Sequence, residues 1–282
     1  MAHRPHGQQL PGRGATWGSV LSVDAFAAIR SVGFEPVGQV FGAAVYPLTA
    51  TAGVSCPGGT AQGIPGPAAR IARALYDGHR MAIDRMAGDC SDLGGHGIVG
   101  AALQVTESPG DSFTTATVDF KVIGTAVRAS GCPPLAGPFT AELSGPDVAK
   151  LLVVGWVPAG IALGISVAGL HDDLSTTSSG PWGTGNAEVP AYTDLIVQVR
   201  QDARNRLEQA VRELGADGVV VSAMTLHLRS SACRAHPGGT DHFAEAVITG
   251  TAVARFADRL KASPAPSLAV LSLDTSGARA GR

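Results

Sequence analysis

Cys233, His236, Asp241 and His242 fall within ten residues of one another, and His227 stands six positions before Cys233. A thiolate and neutral imidazoles are the donors that zinc or copper takes, at about 2.0–2.3 Å and in a converging set. A divalent transition metal is therefore the one cofactor this pattern could hold, with Cys233, His236, His242 and His227 as candidate ligands. The spacing C-x2-H-x5-H is not that of a zinc finger. The plainer reading is a polar hairpin tip that carries a thiol. At the corresponding place in the first half stands Glu107-Ser-Pro-Gly-Asp111, with neither cysteine nor histidine.

Nothing else in the chain has the spacing of a reactive centre. His79 and His96 flank a long helical stretch with no cysteine or carboxylate at ligand spacing, so each is expected to be solvated or to cap a helix. Pro57-Gly58-Gly59-Thr60 and Pro237-Gly238-Gly239-Thr240 are glycine turns, and neither joins a strand to a helix with a lysine beyond it. Gly183-Thr184-Gly185 lacks the setting of a dinucleotide fingerprint for the same reason. No serine, histidine and acid fall into a recognisable nucleophilic order. The sequence offers no catalytic residue, and a non-enzymatic protein is expected.

The elements that must position these residues are clearest between Asp194 and Met224. Apolar residues at Ile196, Val199, Ala203, Leu207, Ala210, Val211 and Leu214 form a helical stripe. Gly215 stands where a left-handed cap ends such a helix. Gly218 then opens Val219-Val220-Val221, a β-branched run that reads as a buried strand. Leu93-Gly94-Gly95-His96-Gly97-Ile98-Val99 repeats the device.

That repetition extends along most of the chain. A shift of 122 residues carries Leu21-Ser22 onto Leu143-Ser144, Gly33 onto Gly155, Pro36 onto Pro158, Gly38 onto Gly160, Gly42 onto Gly164 and Val45 onto Val167. The closing Gly-Thr-Ala-Val runs at Gly124 and Gly250 lie 126 apart. Each half predicts a short helix (23–32, 145–154), a strand (36–46, 157–168), a long helix (68–93, 190–214) and a hairpin (97–106 with 114–128, 218–229 with 243–256). Ser22 is the expected N-cap of the first helix. Leu75, Ala82, Met86, Cys90 and Leu93 are expected to face inward from the first long helix. A third Leu-Ser segment, Val270-Leu271-Ser272-Leu273-Asp274, has no repeat after it and predicts a strand that closes a sheet edge.

The chain of 282 residues is long enough for two cored units, and its net charge of −2 with interspersed signs does not favour nucleic-acid binding. Four scattered cysteines make no disulfide framework. The N-terminal stretch has no apolar run of a secretory signal, so a cytoplasmic location is expected. Residues 151–170 carry no charge and have the length of a membrane span, but Gly155 and Pro158 break them. A short helix followed by a buried strand is expected there instead.

In the G-x-x-x-G strands (Gly38/Gly42 and Gly160/Gly164), the helix exit LGADGVVV from Leu214 to Val221 and the closing Gly-Thr-Ala-Val strands, the chain resembles the YbjQ-like family, labelled a heavy-metal-binding domain. In the first half the helix exit is altered to LGGHGIVG, Leu93 to Gly100. The resemblance covers 21–130 and 143–257. It implies two tandem α+β repeats, each a small mainly antiparallel sheet on one long helix plus a short helix. An N-terminal segment (1–20), a linker with a strand (131–142) and a tail (258–282, strand 267–274) complete the expected organisation. It also implies self-association into a ring, typically a pentamer, and supplies no reaction. The expected role is structural, with a ligand pocket between subunits and residues 266–274 helping to hold the ring.

Overall fold

The computed structural model describes residues 18–47, 67–108, 117–133, 137–172, 188–233 and 238–256. It is an α+β protein with four helices and mostly antiparallel sheets among these residues. The elements are α1 (Val23–Ser31), β1 (Phe34–Pro47), α2 (Pro67–Asp92), β2 (Gly97–Ser108), β3 (Thr117–Ala129), β4 (Phe139–Thr140), α3 (Gly145–Val153), β5 (Trp156–Asp172), α4 (Pro190–Glu213), β6 (Gly218–Ala232) and β7 (Thr240–Arg255). The first sheet runs β1-β3-β2-β4 and the second β5-β7-β6. Helix, strand, long helix and hairpin thus follow one another twice, with register shifts at Pro36/Gly38 and Pro158/Gly160, the same place in each first strand.

The caps explain the boundaries. Ser22 and Ser144 accept hydrogen bonds from Ala25 N and Asp147 N with their side chains, satisfying donors the first turns leave open. Gly94 and Gly215 follow the long helices at φ +68° and +65°, a left-handed conformation that a side chain resists. Between these ends α2 and α4 reach their sheets through two other glycines. A Cβ on Gly42 would lie 1.9 Å from Ala82 O, and one on Gly164 would lie 2.1 Å from Ala203 O.

The layers stack as sheet, helix, sheet, helix. α2 packs on β1 and β3 with one face and on β5 with another, so it lies between the sheets. Its core joins Val40, Leu75, Met86, Phe120 and Val122 of the first unit to Ile165 and Val167 of the second. Burying each such side chain contributes about 1.5–3 kcal/mol before entropy is counted. α4 covers the far face of the second sheet through Leu195, Val199, Ala203, Leu207 and Val211. A third core joins α1 to α3 through Ile29, Val99, Val127, Ala141 and Val148.

Several expectations need correction. The α4 stripe turns on Leu195 rather than Ile196, and Leu214 and Leu93 at the helix exits are exposed. Val220 and Val221 are exposed too, because α4 lies on β5 and β7 and leaves β6 uncovered. His79 and His96 are buried instead of solvated. Residues 151–170 run from the end of α3 into β5, and no helix among the described residues is long and apolar enough to cross a membrane. The strand expected at 267–274 lies outside the described residues.

Candidate functional site

The end of the second sheet gathers a soft donor set. Strand pairing of β5 with β7 sets His171 opposite Asp241, and Cys233 follows β6 with its N–H donated to Gly239 O at 2.9 Å. One donor atom from each of His171, Cys233 and Asp241 lies within 4.8 Å of the other two. His171 Nδ1 and Asp241 Oδ1 are hydrogen-bonded at 2.7 Å. Cys233 and Asp241 are buried. Imidazole, thiol and carboxylate together are a set that borderline-soft divalent metals accept, and the carboxylate is also placed to orient the imidazole.

The sequence-based ligand set is only partly assembled here. Cys233 is in the cluster. His242, the neighbour of Asp241 on β7, points elsewhere: its Nε2 is 3.0 Å from Tyr192 Oη and its Nδ1 3.1 Å from Ser230 Oγ. His227 lies farther back along β6, opposite Glu245, roughly 20 Å from Cys233 at the usual strand rise. His236 lies outside the described residues. His171 escaped the sequence reading because it stands 62 positions before Cys233. The signal that could have found it was register: aligning β5 with β7 opposes His171 and Asp241.

His227 opens onto a different feature, a cavity of about 440 Å3 between the two sheets beside α2. Arg229 of β6 crosses it to make a bidentate salt bridge with Glu107 of β2, joining the two units. Burial pushes the Glu245 carboxyl above its usual range, against the pull of Arg229, whose guanidinium lies 3.9 Å away. Burial raises Glu142 likewise, although its Oε1 accepts from Thr249 Oγ1 at 2.9 Å. The Oε2 atoms of Glu142 and Glu245 accept no hydrogen bond among the described residues. Nearby, burial lowers the pKa of His79, whose ring packs 4.7 Å from Phe120 and bonds Leu75 O. The cavity is lined mainly by apolar side chains, with Glu107, Glu142 and Glu245 as its acidic groups and Arg229, His79 and His227 as its basic ones.

A third surface is apolar and, beyond the contact of Ser19 and Val20 with Thr125, bare among the described residues. The residues of β1 that point away from α2 include Phe41 and Val45, 47% and 62% exposed. Their counterparts on β5, Leu163 and Val167, are 6% and 8% exposed because α2 covers them.

Comparison with known proteins adds two findings. The family model YbjQ_1, described as "Putative heavy-metal-binding", matches residues 182–255. The "Encapsulin nanocompartment protein Rv1762c" of Mycobacterium tuberculosis is 30% identical over 212 residues, 72% of this chain and 75% of that protein. The chain belongs to the family of that nanocompartment protein. The YbjQ-like match takes in α4, β6 and β7, and so one YbjQ-like domain. It therefore includes Cys233 and Asp241 of the cluster but not His171. No solved structure matches.

Proposed function

We propose that this protein is a non-enzymatic, self-associating structural protein of a nanocompartment. Two tandem YbjQ-like repeats, 21–130 and 143–257, would build it, joined by 131–142 and flanked by 1–20 and 258–282. Copies associate into a closed ring in the cytoplasm, with the pentamer as the first size to test. The observation that carries this reading is the bare face of the first sheet, where Phe41 and Val45 are exposed and their second-sheet counterparts are covered. Large apolar side chains left on one sheet face mark an association surface. The name of the Mycobacterium tuberculosis relative favours the same role. Native mass spectrometry of full-length protein tests it: a defined multiple of the 28.5 kDa chain is expected, and a single chain at micromolar concentration removes the reading.

The cluster of His171, Cys233 and Asp241 supports a second reading, a heavy-metal-binding role. These residues would hold a zinc-like ion as imidazole, thiolate and carboxylate ligands, and the ion would fasten the ends of β5, β6 and β7. Elemental analysis of protein purified without a histidine tag distinguishes the two, since less than a tenth of an equivalent of metal leaves only the structural role.

A further inference from the structure

Within one chain, the joint between units is already visible. α2 turns Tyr76, Ile83 and Ala87 toward the second sheet, with Ala72 and His79 flanking them, and all five are buried or half-buried although four exposed polar positions lie between them. The second sheet meets that side with Ile161, Leu163, Ile165 and Val167 of β5. Leu103 and Val105 of β2, beyond the edge of α2, complete the surface facing the second sheet. Helix and β2 edge together form one half of the joint, and the face of the following sheet forms the other.

The same two halves recur, unpaired, at the two ends of the chain. A shift of 121 residues carries Tyr76 of α2 onto Val197 of α4, and Leu103 and Val105 of β2 onto Met224 and Leu226 of β6. All three are exposed, Val197 to 56%. At the other end, Leu163 and Val167 correspond to Phe41 and Val45, which are exposed on the first sheet. Four of the eight large apolar groups exposed on the described strands, Phe41, Val45, Met224 and Leu226, therefore fall on one half-joint or the other. We infer that α4 and the adjoining face of β6 seat on the bare face of the first sheet of a second copy, as α2 and β2 seat on the second sheet within the chain. This rests on the self-association reading and names its surface.

The chemistry of the two surfaces agrees with that docking. Arg200 and Arg204, at the places of His79 and Ile83, stand on the exposed side of α4. The first sheet presents Asp119 of β3 on its bare side, opposite Val45, with Lys121 two residues along to meet Glu208. Apolar groups at the centre with opposite charges around them are what a specific interface needs. The joint differs from the internal one in one place. α3 meets α1 where a Cβ on Gly145 would lie 2.5 Å from Ala25 O, and Val23 occupies the place of Gly145 in the first unit. A second copy must stand farther off there. Because the two halves are different surfaces, the contact is head to tail, and it generates a ring if the rotation closes.

The test uses full-length protein and light scattering coupled to gel filtration. Phe41→Asp/Val45→Asp damages one half-joint, and Val197→Glu/Leu226→Glu damages the other; all four positions are exposed in the single chain, so the fold should keep its circular dichroism and melting temperature. The expected result is an assembly for wild type and a 28.5 kDa species for both double variants. If either pair melts early, Val45→Lys or Val197→Lys alone replaces it. A wild-type assembly whose mass survives either pair overturns this inference and leaves self-association standing. A wild type that is itself a single chain overturns both.

Discussion

Cys90 shows how far packing sets chemistry at a single residue. Its thiol is buried against the sheet, donates to Gly97 O at 3.4 Å, and is pushed up to about 12 by that burial. Only the thiolate reacts, so Cys90 should be inert in the folded protein while exposed Cys132 is labelled by Ellman's reagent. Cys90→Ala should leave the native labelling count unchanged and lower the denatured count by one; a lower native count would mean the site opens. Glu245 gives a pH prediction. Its folded carboxyl holds a proton to higher pH than the unfolded chain does, so between the ordinary carboxyl value and that raised value the folded state binds more protons. Stability attributable to Glu245 therefore falls as pH rises through that window. Melting curves from pH 4 to pH 7.5 should show Glu245→Gln gaining on wild type as pH rises, and a variant that loses ground to wild type over that range would refute the burial cause. Residues of this kind were the least legible in the sequence. Cys233 and Asp241 could be picked out by type, but His171 and the Glu107–Arg229 bridge depend on pairing across 70 and 122 positions, which no local pattern encodes.

The elements were far more legible, because each boundary has a local cause. Ser22, Ser144, Gly94 and Gly215 cap helices through their own backbone and side-chain chemistry, so the short and long helices and the hairpins lie within a few residues of where the sequence puts them. Burial across β6 was not legible: three valines read as a buried strand, yet which strands a helix covers depends on where it crosses the sheet. The glycines test that crossing. Gly42→Ala and Gly164→Ala each drive a methyl into the helix backbone, and the resulting shift should cost about 1–3 kcal/mol in thermal or urea unfolding. Gly88→Ala is the control, since nothing lies within 4 Å of the added carbon; in a helix interior it should stabilise by about 0.5–1 kcal/mol. Equal effects at the three sites would mean the helices do not lie against Gly42 and Gly164. Leu207→Asp goes further, placing a carboxylate in the α4 core at a cost of several kcal/mol. A variant that melts like the parent would show that this face of α4 is not buried.

At the scale of the whole molecule, the repeat in sequence gave the two sets of elements but not the order of layers, since nothing local says that α2 serves two sheets at once. That double use is what leaves one helix side and one sheet side unmatched at the ends, and it leaves an edge as well. In the first sheet β4 pairs with the outer edge of β2 in parallel, through Gly97 and Ile98, and Ala141 and Leu143 extend the pairing. In the second sheet the order ends at β6, with no strand on its outer edge among the described residues. An open edge carrying exposed Val220 and Val221 invites pairing with another chain. Residues 266–274, outside the described residues, repeat the Leu-Ser pattern of the segment at 143–144 and follow β7 much as that segment follows β3. The expectation from sequence is that they help hold the ring together. Removing residues 264–282 should leave melting unchanged, because no described core residue is lost, while light scattering reports a polydisperse species in place of a defined mass. A truncated protein with the wild-type mass and a single narrow peak would cancel the role of the tail and leave the face-to-helix joint untouched. The two deletions of contact are thus separable: the Phe41/Val45 variants test whether copies join through that surface, and the truncation tests whether the tail helps hold them in a defined number.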